Sequence, residues 1–161
     1  MKKSKLILTV GIPNAGKSTW SQQYIRANPN TVRVNADRLR EMLFAYNPAN
    51  IKEYWQESNL KNNESIVRFV CNKLTRSLLQ NGTDVIVDNI NLSKQQLKPY
   101  TDLEDPMDVN VFIKEFNTSL DRCIHRDRSR TRSVGRGYIT EKYEQFQKFK
   151  TTEYYKNLIK L

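Results

Sequence analysis

Residues 11–19 read GIPNAGKST, directly after an apolar run, LILTV at 6–10, and directly before WSQQYIRA at 20–27. Two glycines with four residues between them, then Lys17 and Ser18, match G-x-x-x-x-G-K-[ST]. The flanks decide the reading: a buried strand enters the loop and a helix leaves it, as a phosphate loop requires. Gly11 and Gly16 carry no β-carbon, so the backbone between them can curl until successive N–H groups point at one anion. The helix that follows adds its free N–H groups and positive end. Lys17 supplies a charge near the β- and γ-phosphates, and Ser18 offers a hydroxyl to Mg²⁺. Gly11, Pro13, Asn14, Ala15, Gly16, Lys17, Ser18 and Thr19 are therefore the expected site for ATP or another nucleoside triphosphate.

Working outward, three more segments read as buried strands: TVRVN (31–35), TDVIVD (83–88) and VNVFIKEF (109–116). Helical patterns lie between them. One runs from residue 17 to 27, and a short one, RLREMLFAY, follows Asp37. A longer one spans 57–80, with Ile66, Val67, Val70, Leu74 and Leu78 near one face. Asn81-Gly82 stops it. Ser93 caps a further helix that Pro99 should bend or end. The last helices are expected at 119–128 and 140–150, the latter capped by Thr140 with Glu141 in its first turn. SVGRG at 133–137 reads as a mobile loop. Alternating strands and helices predict an α/β domain: a parallel sheet of four or five strands in three layers with right-handed crossovers. The whole chain, 1–161, reads as a single domain.

Composition narrows the function classes. Cys71 and Cys123 are far apart, and His125 is the one histidine, so neither a disulfide framework nor a common zinc spacing is present. LILTV is too short for a signal peptide or a membrane span, and a cytoplasmic location without a membrane partner is expected. The net charge is +10. DRCIHRDRSRTRSVGR, residues 121–136, holds six arginines against two aspartates. A polyanionic partner such as nucleic acid fits that balance.

In a parallel sheet, ligands gather at the C-terminal ends of strands. The second strand ends in VNADRLR, which places Asp37 at the start of a helix. There it serves either as a helix cap or as the carboxylate that takes the proton of an attacking hydroxyl. Arg40, three residues on, shares its face and can hold an anionic group of the acceptor. The third strand ends in VIVDNINLS. Asp88 there is the expected second acid, reaching Mg²⁺ directly or through water, or orienting an arginine; Asn89 and Asn91 are expected to bond the acceptor. Arg122, Arg126 and Arg130 recur every four residues on one helix face, where repulsion is costly unless an anion sits among them. Arg126 and Arg130 are expected to reach the donor from a lid at about 126–138; Arg128, Arg132 and Arg136 should face solvent or a nucleic-acid backbone. Tyr46, Tyr54 and Trp55 either stack on bases or pack.

GIPNAGKSTW, then NADRLR, then VIVDNINLS, then R-D-x-x-R, in that order over nearly the whole chain, resembles the kinase domain of bacteriophage-type polynucleotide kinases. The resemblance implies an adenylate-kinase-like fold with an arginine-bearing lid, and transfer of the γ-phosphate of ATP to the 5′-hydroxyl end of DNA or RNA. It matches Lys17 and Ser18 to the donor loop, Asp37 to the general base, Arg40 to the arginine holding the phosphate 3′ to the acceptor nucleoside, and Arg126 and Arg130 to the lid. Three features depart from the family pattern: Ile90 stands for a threonine, Asp127 for an asparagine, and SVGRGY for a Val-Pro segment. A fused phosphatase domain, common in such proteins, has no room in 161 residues, so 3′-phosphatase activity is not expected. Two other readings share the phosphate loop: a kinase of a nucleoside or small metabolite, and a non-catalytic ATP-dependent nucleic-acid-binding module.

Overall fold

A computed structural model describes residues 3–44, 51–56 and 58–159. Its centre is a four-stranded parallel sheet, among the described residues, in the order β2-β3-β1-β4: β1 Lys5–Val10, β2 Thr31–Val34, β3 Asp84–Val87 and β4 Asn110–Glu115. β1 is the hinge of the register, with Leu6 beside Val85 on one side and Val111 on the other. The two central strands are apolar at nearly every position because both their faces are covered; Leu6, Leu8, Val10, Val85, Ile86 and Val87 are all fully buried. β4 is an edge strand and alternates instead, leaving Phe112 exposed. The domain is the expected three-layer α/β fold.

The helices explain how the site is carried. α1 (Lys17–Ala27) leaves the loop after β1, α2 (Ala36–Phe44) leaves β2, and α4 (Leu60–Gln80), preceded by the short α3 (Ile51–Gln56), packs on α2, β2 and β3. α5 (Lys94–Thr101) and α6 (Glu104–Met107) return the chain to β4. α7 (Leu120–Arg128) packs against α8 (Arg136–Thr151), and α9 (Glu153–Leu158) packs against α8 in turn. No helix among the described residues is long and apolar enough to cross a membrane.

Several local expectations change. The buried stripe of α4 is Asn63, Val67, Cys71, Thr75 and Leu79, spaced by four residues, whereas Ile66 and Leu74 face outward. The expected face is only partly displaced: Val67 is buried and Val70 and Leu78 pack partly buried against the core, while Ile66 and Leu74 fall at its exposed edge. Pro99 lies inside α5, two residues before its end, and the start of the helix is capped: Gln96 N–H donates to Ser93 Oγ, and Leu92 N–H donates to Gln96 Oε1. α8 begins at Arg136, four residues before Thr140, so Thr140 is not its cap. Residues 133–135 are held by hydrogen bonds to Asp127 and 136–137 are helical, so SVGRG is not the free loop its composition suggests. Tyr46 lies outside the described residues.

The stripe gives a direct test. Leu79→Ala, at a nearly fully buried site, should cost about 2–5 kcal/mol in urea unfolding. Leu74→Ala, the same chemistry five residues earlier on the exposed face, should cost less than about 1 kcal/mol. Equal losses would contradict the helix's orientation.

Candidate active site

The loop after β1 has the geometry its glycines predict. Gly11 has φ 155°, and a β-carbon there would lie 3.0 Å from both the Phe116 β-carbon and its carbonyl oxygen. Gly16 (φ 103°) and Asn14 (φ 64°) also take left-handed backbone, so the loop doubles back before α1 begins. Thr118 Oγ1 donates to the Ala15 carbonyl at 2.9 Å and holds the loop from outside. Lys17 is buried, and its ammonium donates to the carbonyls of Gly11 at 2.8 Å and Ile12 at 2.7 Å. Burial lowers its pKa to about 8, with the carboxylates of Asp88 and Asp37 among the groups that pull it back up. Ser18 and Thr19 are exposed. A curled backbone, a buried cation at its rim and a free hydroxyl at the helix start fit a nucleotide's phosphates.

At the end of β2 the helix cap is Asn35, whose Oδ1 accepts from Arg38 N–H at 3.1 Å, while the Asn89 side chain accepts from Ala36 N–H at 3.0 Å. Asp37 is therefore released from capping. Its carboxylate, 46% exposed, takes Arg40 NH1 on Oδ1 at 2.8 Å and Arg132 NH2 on Oδ2 at 3.2 Å. Arg40 itself is turned mainly toward Glu64 of α4, donating from Nε and NH2 to its two oxygens at 2.7 Å each. Tyr54 donates to the same Glu64 at 2.8 Å, and the Trp55 ring covers Arg40 at 5.3 Å. Burial opposes charge on both partners; their bidentate pairing more than offsets it, raising the Arg40 pKa and lowering that of Glu64. Burial, and then the bond to Glu64, push Tyr54 up to about 12.

The end of β3 is equally committed. Asp88 is buried, and its Oδ2 accepts from Arg33 Nε on β2 at 2.6 Å while Thr9 Oγ1 approaches Oδ1 at 3.5 Å. Asn35 Nδ2 donates to the Asp88 carbonyl. Asn91, expected to contact an acceptor, is instead 2% exposed with φ 51° and donates to the Thr9 carbonyl at 2.8 Å. It shapes the turn rather than reaching a ligand, because a side chain in that left-handed position folds back onto β1. Asn89 likewise spends its side-chain oxygen on α2.

The lid closes on both halves. Arg126 NH1 donates to the Asn14 carbonyl at 3.0 Å, and Arg130 NH1 to the Asn14 side-chain oxygen. Asp127 lies between them, 3% exposed, accepting from Asn14 Nδ2 at 2.9 Å, Ser133 Oγ at 2.6 Å, Val134 N–H at 3.1 Å and Gly135 N–H at 2.9 Å. Burial alone would raise its pKa, but these donors hold it below the ordinary carboxylate value. Arg132, next on the turn, crosses to Asp37 and to Glu41 of α2 at 3.5 Å. One turn thus touches Asn14 of the loop after β1 and Asp37 at the start of α2. Arg33 and Glu64 organise the site without a motif to announce them; Asp127 left a signal as a departure at a lid position, and Arg132, expected to face solvent or a nucleic-acid backbone, is instead paired with Asp37 and Glu41.

The order of strands, the loop between β1 and α1, and the arginine lid define a phosphate-loop kinase fold. The family model described as an AAA domain matches residues 6–151, and the chain belongs to that family. A solved structure of the Pnkp1/Rnl/Hen1 RNA repair complex contains a chain superimposing with a TM-score of 0.73 at 26% identity, over 93% of this chain and 46% of that one. The L-seryl-tRNA(Sec) kinase of Methanococcus maripaludis is 25% identical over 145 residues, 88% of this chain and 52% of that protein. The APS kinase CysC of Mycobacterium tuberculosis, solved with AMPPNP and APS, shares the fold at TM-score 0.58 and 16% identity, over 80% and 71% of the two chains. The chain spans about half the length of the first two relatives. The resemblance to polynucleotide kinases read from the motifs agrees with these neighbours.

Two measurements probe the site. Above pH 8 Lys17 is mostly neutral in the free protein, and a polyphosphate bound beside it restores the charge. Nucleotide binding at pH 9 should therefore take up a proton, read by calorimetry in buffers of different ionisation enthalpy, with little uptake at pH 6.5. Lys17→Ala should abolish the uptake. For Asp127 the folded pKa is depressed, so its contribution is complete above the ordinary carboxylate range and lost as pH falls through the folded value. Asp127→Ala should cost about 1–3 kcal/mol and speed amide exchange at Val134 and Gly135.

Proposed function

We propose that this protein is an ATP-dependent polynucleotide kinase that phosphorylates 5′-hydroxyl ends of DNA or RNA. The observation that carries the reading is the lid turn, which fastens to Asn14 of the phosphate loop and to Asp37 at once. A donor phosphate in the loop and a hydroxyl at Asp37 then share one cleft. Two exposed aromatics border it: Trp55 lies on Arg40, and Tyr138 is close enough to Asp37 for that carboxylate to help raise its pKa after burial has done so. Such rings accept stacked bases without reading sequence. The net charge of +10 favours a polyanionic acceptor. The neighbour in an RNA repair complex supports a nucleic-acid acceptor, whereas the L-seryl-tRNA(Sec) kinase supports only a substrate that carries RNA.

In this mechanism the 5′-hydroxyl donates its proton to Asp37 as its oxygen attacks the γ-phosphorus. The O5′–P bond forms, the bond to the β,γ-bridging oxygen breaks, and ADP leaves. Lys17, Arg126 and Arg130 meet the charge that spreads over the transferring group and the diphosphate. The lid arginines exchange the oxygens of Asn14 for phosphate oxygens, which needs only a side-chain rotation. Arg40, fixed by Glu64, holds Asp37 toward the cleft and faces the acceptor. Mg²⁺ would bind with the nucleotide at Ser18 and neutralise phosphate charge. Asp88 would reach it through water, because its oxygens already face Arg33 and Thr9. The described residues contain no cluster of three or more acidic, histidine or cysteine side chains that would hold a metal alone.

The test is transfer from γ-labelled ATP with Mg²⁺ to a 5′-hydroxyl oligonucleotide, beside free nucleosides, sugars and seryl-tRNA. Label on the oligonucleotide is expected; label confined to a small molecule or to the seryl group moves the protein to another kinase class, and nucleotide binding without transfer makes it a binding module. Asp37→Ala should lower turnover by about 10²–10⁴ while leaving ATP binding intact. Near-normal turnover would remove Asp37 as the base.

A further inference from the structure

We infer that the open edge of β4 is a docking strip for an extended segment of a partner protein in which apolar and acidic residues alternate. The strip lies at the side of the sheet opposite β2, and the inference is independent of the reaction proposed above.

The hydrogen-bond parity of the edge comes first. Asn110 N–H donates to the Ser4 carbonyl at 2.9 Å, and Phe116 N–H to the Val10 carbonyl at 2.8 Å. With Phe112 beside Ile7 and Lys114 beside Thr9, the even-numbered residues of β4 turn their backbone groups toward β1. The N–H and C=O groups of Val111, Ile113 and Glu115 therefore point away from the sheet. Among the described residues no strand lies beyond them. Such a row is a template for one more strand.

Two grooves run along the same edge, and Phe112 and Ile113 line both. One, of about 290 Å³, is walled by Leu158 and by Ile159, which is 53% exposed. Its one acid, Glu115, is already taken by the Tyr155 hydroxyl and the Asn117 amide. The other, of about 230 Å³, is walled by Trp20 and Tyr24 of α1 and includes Lys5 and Lys114. Lys114 Nζ lies 5.5 Å from the Trp20 ring centre. Among the described residues neither lysine is in an ion pair.

These grooves define the occupant. Successive side chains of a strand point to opposite faces, so a segment laid along β4 delivers alternate residues to the two grooves. The aliphatic groove takes a leucine or valine. The aromatic groove, with two unpaired cations, takes a carboxylate. A lysine on an edge deters indiscriminate pairing, and here it selects an acidic strand. The same lysines disfavour a second copy. β4 reads NVFIKE, so self-pairing adds a lysine where an acid is wanted, between chains that each carry a net charge of +10. Nucleic acid matches the charge but has no peptide ladder to pair with Val111, Ile113 and Glu115.

The experiment titrates isotope-labelled protein with a blocked synthetic peptide alternating glutamate and leucine, read by NMR amide shifts and hydrogen exchange. This peptide should bind about tenfold more tightly than one of equal composition with its glutamates in a single block. Exchange should slow at Val111, Ile113 and Glu115 and stay unchanged at Asn110, Phe112 and Lys114, which are already bonded to β1. Lys5→Glu and Lys114→Glu together should move the preference to a peptide alternating lysine and leucine, with nucleotide binding unaltered. Ile113→Pro, which removes an outward N–H, should abolish binding; if that variant does not fold, the charge reversal carries the test alone. No binding, equal binding of both glutamate peptides, slowing at even and odd positions alike, or indifference to the charge reversal would each overturn the proposal. So would oligothymidylate taking the strip in place of the peptide, or a concentration-dependent dimer that Phe112→Glu dissolves.

Discussion

The carboxylate of Asp127 joins the two halves of the site. It is buried, and it is covered by four donors from two places: Asn14 in the phosphate loop, and the side chain and backbone of residues 133–135. A buried charge is costly unless its lone pairs are filled, so this arrangement is nearly all-or-none. Filling them fixes the turn after α7, and that turn determines where Arg126, Arg130 and Arg132 can point. A polar network in the lid therefore sets the reach of the arginines, and Asn14 makes donor-loop geometry and lid geometry one problem.

A second constraint follows from having so many cations beside one another. Unlike Asp127, four acidic side chains near the cleft are paired with arginines: Asp88 has Arg33, Glu64 has Arg40, Glu41 has Arg38, and Asp37 is shared by Arg40 and Arg132. These pairs differ in burial, and burial separates their roles. The Arg33–Asp88 and Arg40–Glu64 pairs are enclosed and short, and they hold β2 to β3 and α2 to α4. The pairs on Asp37 and Glu41 involving Arg132 are longer and more open.

Much of the candidate site was legible because a phosphate loop is a local object. Glycines at 11 and 16, then Lys17 and Ser18, between an apolar strand and a helix, leave little freedom, and the backbone angles found at Gly11, Asn14 and Gly16 are those the spacing demands. Parallel pairing followed from the alternation of elements, whereas the order β2-β3-β1-β4 is a finding of the structure. Misreadings arose where position depended on packing across the sheet. Cys71 and Thr75 occupy the buried stripe of α4 although Ile66 and Leu74 are the more apolar candidates. Asn91 reads as a ligand-binding amide at a strand end, yet its left-handed backbone turns it onto Thr9.

By itself the amino-acid sequence determined the α/β class, the phosphate cradle, the position of Asp37 and Arg40 at the end of the second strand, and an arginine-dense segment near the C-terminus. Each of these is set by neighbours within a few residues, through φ preferences, capping and hydrophobic period. Tertiary structure alone decided which charge meets which. Glu64 is 24 residues from Arg40, Arg33 is 55 from Asp88, and Asn14 is 113 from Asp127. Contacts over such distances along the chain leave no periodic trace, because they arise only when the sheet has brought the ends of its strands together.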